Sequence, residues 1–349
     1  RRGGVFRFIS SAGDYGGGNI PTEETVMSEP VRWGVLGAAN FALQHMARAI
    51  HAAEGAEFAA IATSSAAKAE PFRAFAPGVR VHDSYDALLA DPEIDAIYIP
   101  LPNHLHVEWT QKAARAGKHV LCEKPIAMTA PEIDQLIALR DETGLIIAEA
   151  FMIVHHPQWT CVRDMLAAGE VGTLRHVDVA FSFNNPDPGN IRNRVEAGGG
   201  VLPDIGVYAF GGVRYATGQE PEAVLARWKV ENEVDTFVQV WADFPGFTYG
   251  GTVSTRLAPR QEVTFQGDRG SIRMSAPFNP TVFGEARVEL HRDGQQAEVR
   301  RFTSDNHYVL QVEAFGRAVR GGDTYAVPLE FSRGTQAMID QVKAAAVQM

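Results

Sequence analysis

Basic residues are in short supply. The 349-residue chain carries 32 Lys and Arg against 42 Asp and Glu, a formal net charge of -10. Nucleic acid is thereby excluded as the main partner, because a phosphate backbone needs a basic face. A local basic pocket for one small phosphate stays compatible. Cysteine is scarcer still, with only Cys122 and Cys161, which make no Cys-x-x-Cys pair and no disulfide framework. That fits a reducing compartment, so a cytoplasmic location is expected. No apolar run approaches the ~20 residues of a membrane-spanning helix, so no membrane partner is expected. Metal-ligand spacing is missing too. His155 and His156 are adjacent before Pro157, and neighbours on an extended segment point apart, so no metal is expected.

What is present is ordinary for a globular chain. Apolar residues make up 45%, enough for a sizeable core, and the length predicts two domains. Residues 1–26 are Gly-rich and aperiodic. Arg1 and Arg2 open like a twin-arginine export signal, but no apolar segment follows, so a signal peptide is rejected. Met27 stands just ahead of the first strand pattern and reads as a natural start. Residues 1–29 are read as a disordered leader ahead of the folded part. The rival reading is an arm that wraps a neighbouring subunit.

Val31–Leu36, Phe58–Thr63, Ala96–Ile99, His119–Cys122 and Leu145–Phe151 are short, apolar and β-rich. Helical patterns separate them, at 40–53, 68–75, 85–89, 104–116 and 129–143. Thr129 and Glu132 carry a capping-box signature, and Gly117 and Gly144 stand where helices stop. Such alternation implies a parallel sheet covered on both faces, an α/β Rossmann (doubly wound) domain over 30–150. Ligands of such sheets bind at the carboxyl ends of the strands.

Beyond a helix at Gln158–Ala168 the pattern changes. Segments of period two follow at 175–183, 223–230, 236–244, 249–257, 262–267, 271–275 and 286–292. They predict an α+β domain over 151–349 with an open, mostly antiparallel sheet. A helix at Val309–Val319 and another at the end close the chain.

Gly37-Ala38-Ala39-Asn40-Phe41-Ala42 follows the first strand where a Gly-x-Gly-x-x-Gly fingerprint would stand. Only the first glycine is kept, and a tight turn packing small residues reads about as well on the motif alone. Context favours a phosphate loop, since the turn opens the first helix and its free N–H groups. NAD sites place an acid at the end of the second strand for the ribose 2′-hydroxyl. Here that place holds Thr63, Ser64 and Ser65, with Lys68 and Arg73 close behind. Hydroxyls and a cation suit a 2′-phosphate, and solvated helix residues are the plainer reading of Lys68 and Arg73. NADP(H) is the expected cofactor, with NAD(H) the alternative.

Glu123-Lys124-Pro125 lies just past a buried strand, where open α/β sheets keep their sites. Pro125 biases Lys124 away from the helical region. An ordinary exposed loop lysine is the plainer reading. Farther on, Gly198-Gly199-Gly200 precedes Asp204 and Tyr208. These two share one face if a helix starts here. A half-buried tyrosine with a satisfied hydroxyl is the plainer reading of Tyr208.

The Gly37–Asn40 turn, Pro102-Asn103-x-x-His106, the segment running into Glu123-Lys124-Pro125, and Gly198-Gly-Gly-x-x-x-Asp204-Ile-Gly-x-Tyr208 together resemble the Gfo/Idh/MocA oxidoreductase family. The likeness runs from about residue 30 to the C-terminus. With tyrosine at 208, the chain is most similar to the branch that holds glucose–fructose oxidoreductase, NADP-dependent xylose dehydrogenases and dimeric dihydrodiol dehydrogenases. The resemblance implies Lys124 and Tyr208 as the catalytic pair, with Asp204 beside them. It implies Gly37, Ala38, Ala39, Asn40, Phe41, Ser64, Lys68, Leu101, Pro102, Asn103, His106, Glu123 and Lys124 around the dinucleotide. It also implies a C-terminal sheet that pairs with a second subunit, in a homodimer or homotetramer. Pro203 departs from the apolar residue expected there.

The activity so implied is hydride transfer between the nicotinamide and a sugar-like alcohol or carbonyl, as in an aldose 1-dehydrogenase. The alternatives are a glucose–fructose type with tightly held NADP, a trans-dihydrodiol dehydrogenase, and a regulatory NADP(H) binder without turnover. Tyrosine ordinarily titrates near ~10, and a nearby Lys124 ammonium is expected to lower that. Tyr208 then serves as acid/base, while Lys124 positions and tunes. Arg192 and Asn193 are further candidates that either reach substrate or cap a mobile loop, and Tyr308 stands either on the nicotinamide side or at the surface.

Overall fold

The computed structural model describes residues 29–349; the readings of the leader therefore lie almost wholly outside the described residues. Strands β1 (Val31–Leu36), β2 (Ala56–Ala62), β3 (Arg80–His82), β4 (Ala96–Ile99), β5 (His119–Cys122) and β6 (Ile147–Glu149) form one sheet in the order β3-β2-β1-β4-β5-β6. Every pairing is parallel. Side chains of β1, β4 and β5 are almost all buried, as a sheet covered on both faces requires. Helices α1 (Ala47–Ala52), α2 (Ala66–Arg73), α3 (Tyr85–Leu89), α4 (His106–Arg115) and α5 (Ala130–Thr143) supply the cover.

The order reverses between β1 and β4. Chain leaving β1 turns one way and chain leaving β4 the other, which opens a crevice at their carboxyl ends. The first helix is less regular than its pattern implies. Ala42–Met46 forms a π-turn before α1. A short 3-10 turn, Asn103–Leu105, likewise precedes α4. The capping box of α5 is formed by Thr129 and Glu132, and Gly144 ends the helix at φ 66°.

The second sheet has nine strands. After α6 (Pro157–Ala167) come β7 (Leu174–Asn184), α7 (Val207–Thr217), β8 (Ala223–Glu231), β9 (Val234–Phe244), β10 (Phe247–Ser254), β11 (Arg256–Gly267), β12 (Gly270–Met274), β13 (Ala286–Arg292) and β14 (Glu298–Phe302). Helices α8 (His307–Val319) and α9 (Leu329–Ala345) and a last strand β15 (Ala346–Gln348) complete the chain. The order is β14-β13-β12-β11-β7-β10-β9-β8-β15. It is mostly antiparallel but mixed, because β10 runs parallel to β7 and β15 parallel to β8. Strands β14 and β15 carry too little apolar alternation to show in the sequence pattern.

Helix α9 returns to the first domain and packs beside α5. Arg140 reaches Glu330 and Arg333 reaches Asp134, but these pairs are exposed and screened by solvent, so they add little. Apolar burial holds the two halves instead. Trp33 of β1 is fully buried against Phe315 of α8, ring centroids 5.0 Å apart. Among the described residues, no helix is long and apolar enough to cross a membrane.

Candidate active site

The crevice at the carboxyl ends of β1, β4 and β5 deepens into a cleft of about 800 Å³. One wall is Ala39–Phe41 after β1, Leu101 after β4, and Glu123 and Lys124 after β5. The other comes from the second domain: Phe181–Phe183 of β7, the 189–192 loop, Asp204 and Tyr208.

Lys124 follows β5 and precedes a cis peptide bond to Pro125. Its ammonium donates to the Asp204 backbone oxygen at 2.6 Å and to Asp204 Oδ1 at 3.1 Å. It also stands 4.8 Å from the centroid of the Tyr208 ring. Arg192 Nε donates to the other Asp204 oxygen at 2.7 Å. Burial opposes charge on Asp204, but Lys124 and Arg192 outweigh it and hold the carboxyl below its ordinary range.

The local chain is built for this. Leu202–Gly206 is a π-turn running into α7, with Pro203 buried inside it. Gly200 has φ 123°, and a Cβ there would collide with Asp235. Asp235 in turn accepts the Leu202 N–H at 2.7 Å and anchors the turn. Asp204 and Tyr208 thus reach the cleft from one helix start.

Tyr208 differs from expectation. Burial pushes its phenol well above 10, and nearby Glu123 pushes the same way. The correction has a geometric cause: Lys124 faces the ring rather than a free phenolate, and shares its charge with Asp204. The Tyr208 hydroxyl donates to Met152 Sδ at 3.3 Å. Thioether sulfur is a weak acceptor, so a better acceptor in the cleft can take that proton. Glu123 accepts from Tyr98 Oη at 2.6 Å, and burial pushes its carboxyl up to about 7.

His106 is wholly buried, with ring nitrogens 2.7 Å from the oxygens of Leu101 and Pro125. It clamps the loops after β4 and β5 together. Asn103 Nδ2 donates to the Gly198 oxygen at 2.9 Å and so ties the β4 loop to the glycine run. Pro102 lies between these contacts and is not part of the cleft wall. Tyr308 lines the cleft, stacked on His45 with centroids 5.1 Å apart and edge-on to Phe41 at 5.8 Å.

A dinucleotide fits this frame. Gly37 turns at φ 101°, where a Cβ would meet Leu101 and Tyr85, and Gly37, Ala38 and Ala39 leave the backbone uncovered by large side chains. Thr63, Ser64 and Ser65 follow β2 and Lys68 stands in the first turn of α2, all outside the central cleft. The Ser65 N–H bonds Thr63 Oγ1 at 3.3 Å, and Ser64 and Lys68 are exposed. Arg73 is drawn away by Glu70 at 3.1 Å.

Asn193 takes the loop alternative. Its Nδ2 donates to the oxygens of Asn185 and Asp187, and its Oδ1 accepts from Arg256. The side chain braces the loop from within and does not line the cleft. Conversely, Phe181, Phe183, Gln261, Asn279, Val282 and Phe283 line it without any motif. They reach it from β7, β11 and a distant loop, so only alternation on β7 and β11 hinted at their facing.

Residues 31–151 match the Gfo/Idh/MocA model described as "Oxidoreductase family, NAD-binding Rossmann fold", and residues 159–273 match its C-terminal domain. The chain is 41% identical over 323 residues to an uncharacterized oxidoreductase of Rhizobium meliloti, covering 90% of this chain and 97% of that one. It is 33% identical to the dTDP-3,4-didehydro-2,6-dideoxy-alpha-D-glucose 3-reductase of Actinomadura kijaniata, over 93% and 98% of the two chains. It is 32% identical to an NADP(+)-dependent D-xylose 1-dehydrogenase of Haloferax volcanii, over 89% and 95%. The Actinomadura 3-ketoreductase, solved with NADP and TDP-benzene, superposes with a TM-score of 0.84 at 31% identity, over 92% and 99%. That enzyme has also been solved with a tyrosine and with a lysine replaced, at positions as far apart in sequence as Tyr208 and Lys124.

Proposed function

Because this chain belongs to the Gfo/Idh/MocA oxidoreductase family, we propose that it binds NADP(H) and transfers hydride between the nicotinamide and a sugar-like carbonyl or alcohol, with carbonyl reduction favoured. The observation that carries this reading is the pairing of Lys124 with Tyr208 in one crevice, the phenol held protonated.

A bound nicotinamide supplies or accepts the hydride. The chain's own residues manage the proton and the geometry. Tyr208, kept as phenol, donates its proton to the oxygen of a carbonyl as that oxygen gains charge. Lys124 stabilises the same oxygen electrostatically and is held in place by Asp204. Phe181 and Phe183 exclude water from one side.

The preference for NADP(H) rests on the end of β2. Thr63, Ser64 and Ser65 place no carboxylate there, and Lys68 supplies a cation one helical turn on. Gly37, Ala38, Ala39, Asn40 and Phe41 would hold the pyrophosphate, and Leu101, Asn103, His106 and Glu123 the nicotinamide end. The Actinomadura enzyme's NADP complex supports the choice of NADP(H).

The reading includes a second copy of the chain. The face of the nine-stranded sheet turned away from α7 exposes Leu225 and Trp241, which are register partners on β8 and β9, 71% and 48% exposed. Pairing of two such faces buries them.

The test is NADPH consumption against ring ketones and aldoses, with Lys124→Ala alongside. Turnover that the variant loses supports the assignment. Equal turnover in both proteins overturns it.

A further inference from the structure

Some polar atoms on the cleft walls are engaged by the protein itself. Ser182 Oγ donates to the Ala258 oxygen at 2.7 Å, and Gln261 Oε1 accepts the Asn279 N–H at 3.0 Å. Asn190 Oδ1 accepts the Arg192 N–H at 3.1 Å. The charged and proton-donating groups Lys124, Tyr208, Asp204 and Arg192 stand together at one end.

Apolar side chains make up much of the remaining wall. Phe181, Phe183, Ile205 and Pro259 are among them. At the mouth, Ile191 on one loop and Val282 and Phe283 on another are 46%, 68% and 37% exposed. Large apolar side chains left in water on two loops beside a reaction centre gain by meeting an apolar ligand.

Charge narrows the ligand further. Among the described residues, the charged groups lining the cleft are Glu123, Lys124, Arg192 and Asp204, two of each sign. Both cations share the Asp204 carboxylate. A diphosphate takes dedicated Arg or Lys donors, whereas each cation here already has a carboxylate partner.

We propose that the substrate is an uncharged glycoside whose apolar aglycone lies at the mouth, against Ile191, Val282 and Phe283. The proposal rests on the reading of the site as a hydride-transfer centre. In the reductive direction, hydride from NADPH adds to the ring carbonyl carbon, the C=O π bond opens, and the Tyr208 proton goes to the oxygen. Solvent returns that proton. The oxidative direction is the reverse.

Phenyl glucoside, methyl glucoside, glucose and dTDP-glucose serve as probes. Turnover with NADP+ is measured for each, together with calorimetric binding to the NADP-loaded protein. Phenyl glucoside is expected to exceed methyl glucoside by about tenfold in kcat/KM or affinity, from burial of the ring. In Phe283→Ser that ratio falls toward one, whereas a change of fold would lower both alike. Preference for glucose or dTDP-glucose, or a ratio near one in the unaltered protein, overturns the glycoside inference and leaves the hydride-transfer reading standing. Tight, Phe283-dependent binding of phenyl glucoside with no turnover supports the subsite and overturns the hydride-transfer reading instead. Failure of every probe to bind overturns the inference.

Discussion

Asp204 divides its carboxylate between two cations, with Lys124 Nζ 3.1 Å from Oδ1 and Arg192 Nε 2.7 Å from Oδ2. Asp204 and Lys124 are both mostly buried, so removing one partner strands charge in a poor solvent. Asp204→Ala is expected to cost roughly 3 kcal/mol of stability and to lower kcat/KM by about a hundredfold, as Lys124 loses its position. Asp204→Asn keeps an acceptor and should lose less stability. Thermal unfolding and steady-state kinetics check both, and an unchanged Asp204→Ala protein would refute the arrangement.

Tyr208 offers a cleaner separation of folding from chemistry. Its hydroxyl bonds only the Met152 sulfur among the described residues, so Tyr208→Phe should keep its melting temperature. The same change should lower carbonyl reduction by about 10²- to 10⁴-fold. Because burial holds the phenol protonated, reduction should stay flat through neutral pH and fall only as pH rises toward the raised pKa. Alcohol oxidation should climb over the same range. Opposite pH trends in the two directions are the signature to look for.

Cofactor choice should turn on Ser64. A carboxylate placed there would repel a 2′-phosphate and suit a free 2′-hydroxyl. Ser64→Asp is expected to raise KM for NADP by about tenfold or more, while KM for NAD falls or holds. Equal losses for both cofactors would mean that Ser64 does not face the ribose.

Buried histidines should make the fold acid-labile. Burial lowers His155 and His156 to about 4 and His307 to about 3. A depressed histidine adds stability above its unfolded value near ~6.5, and that stability is lost as pH falls through the window toward 4. Glu123, raised to about 7, works the other way, costing stability as pH rises from ~4.5 to 7. Burial also lowers His45, His106 and His119 and raises Glu149 and Asp235; six histidines outweigh three carboxyls, so melting temperature should drop between pH 6.5 and pH 4, where the slope is up to about 1.4 kcal/mol per unit for each histidine. His307→Phe should make that drop shallower.

Association should depend on the exposed sheet face. Trp241→Arg places a charge opposite Leu225 in register, and burying it between two copies would be costly. Light scattering is expected to show a lower mass for the variant than for the parent chain. The same mass in both would locate the contact elsewhere.

Much of this molecule can be read from local pattern. Alternating apolar strands and helices specify a doubly wound sheet because period and capping are properties of a few consecutive residues. Thr129 with Glu132 announces α5, and Glu123-Lys124-Pro125 marks a strand end where ligands bind, before any coordinates are known. Tertiary structure decided what those residues can do. Whether Tyr208 is acid or base depends on how deeply its ring is buried and which face Lys124 meets, quantities that no spacing encodes. Arg192 and Asn193 are neighbours in sequence, yet one reaches Asp204 in the cleft and the other braces its own loop. The parallel pairing of β10 with β7 and the apolar mouth at Ile191, Val282 and Phe283 join segments far apart in the chain. Sequence pattern records which residues prefer water or its absence; only folding sets the distances and the dielectric that turn those preferences into chemistry.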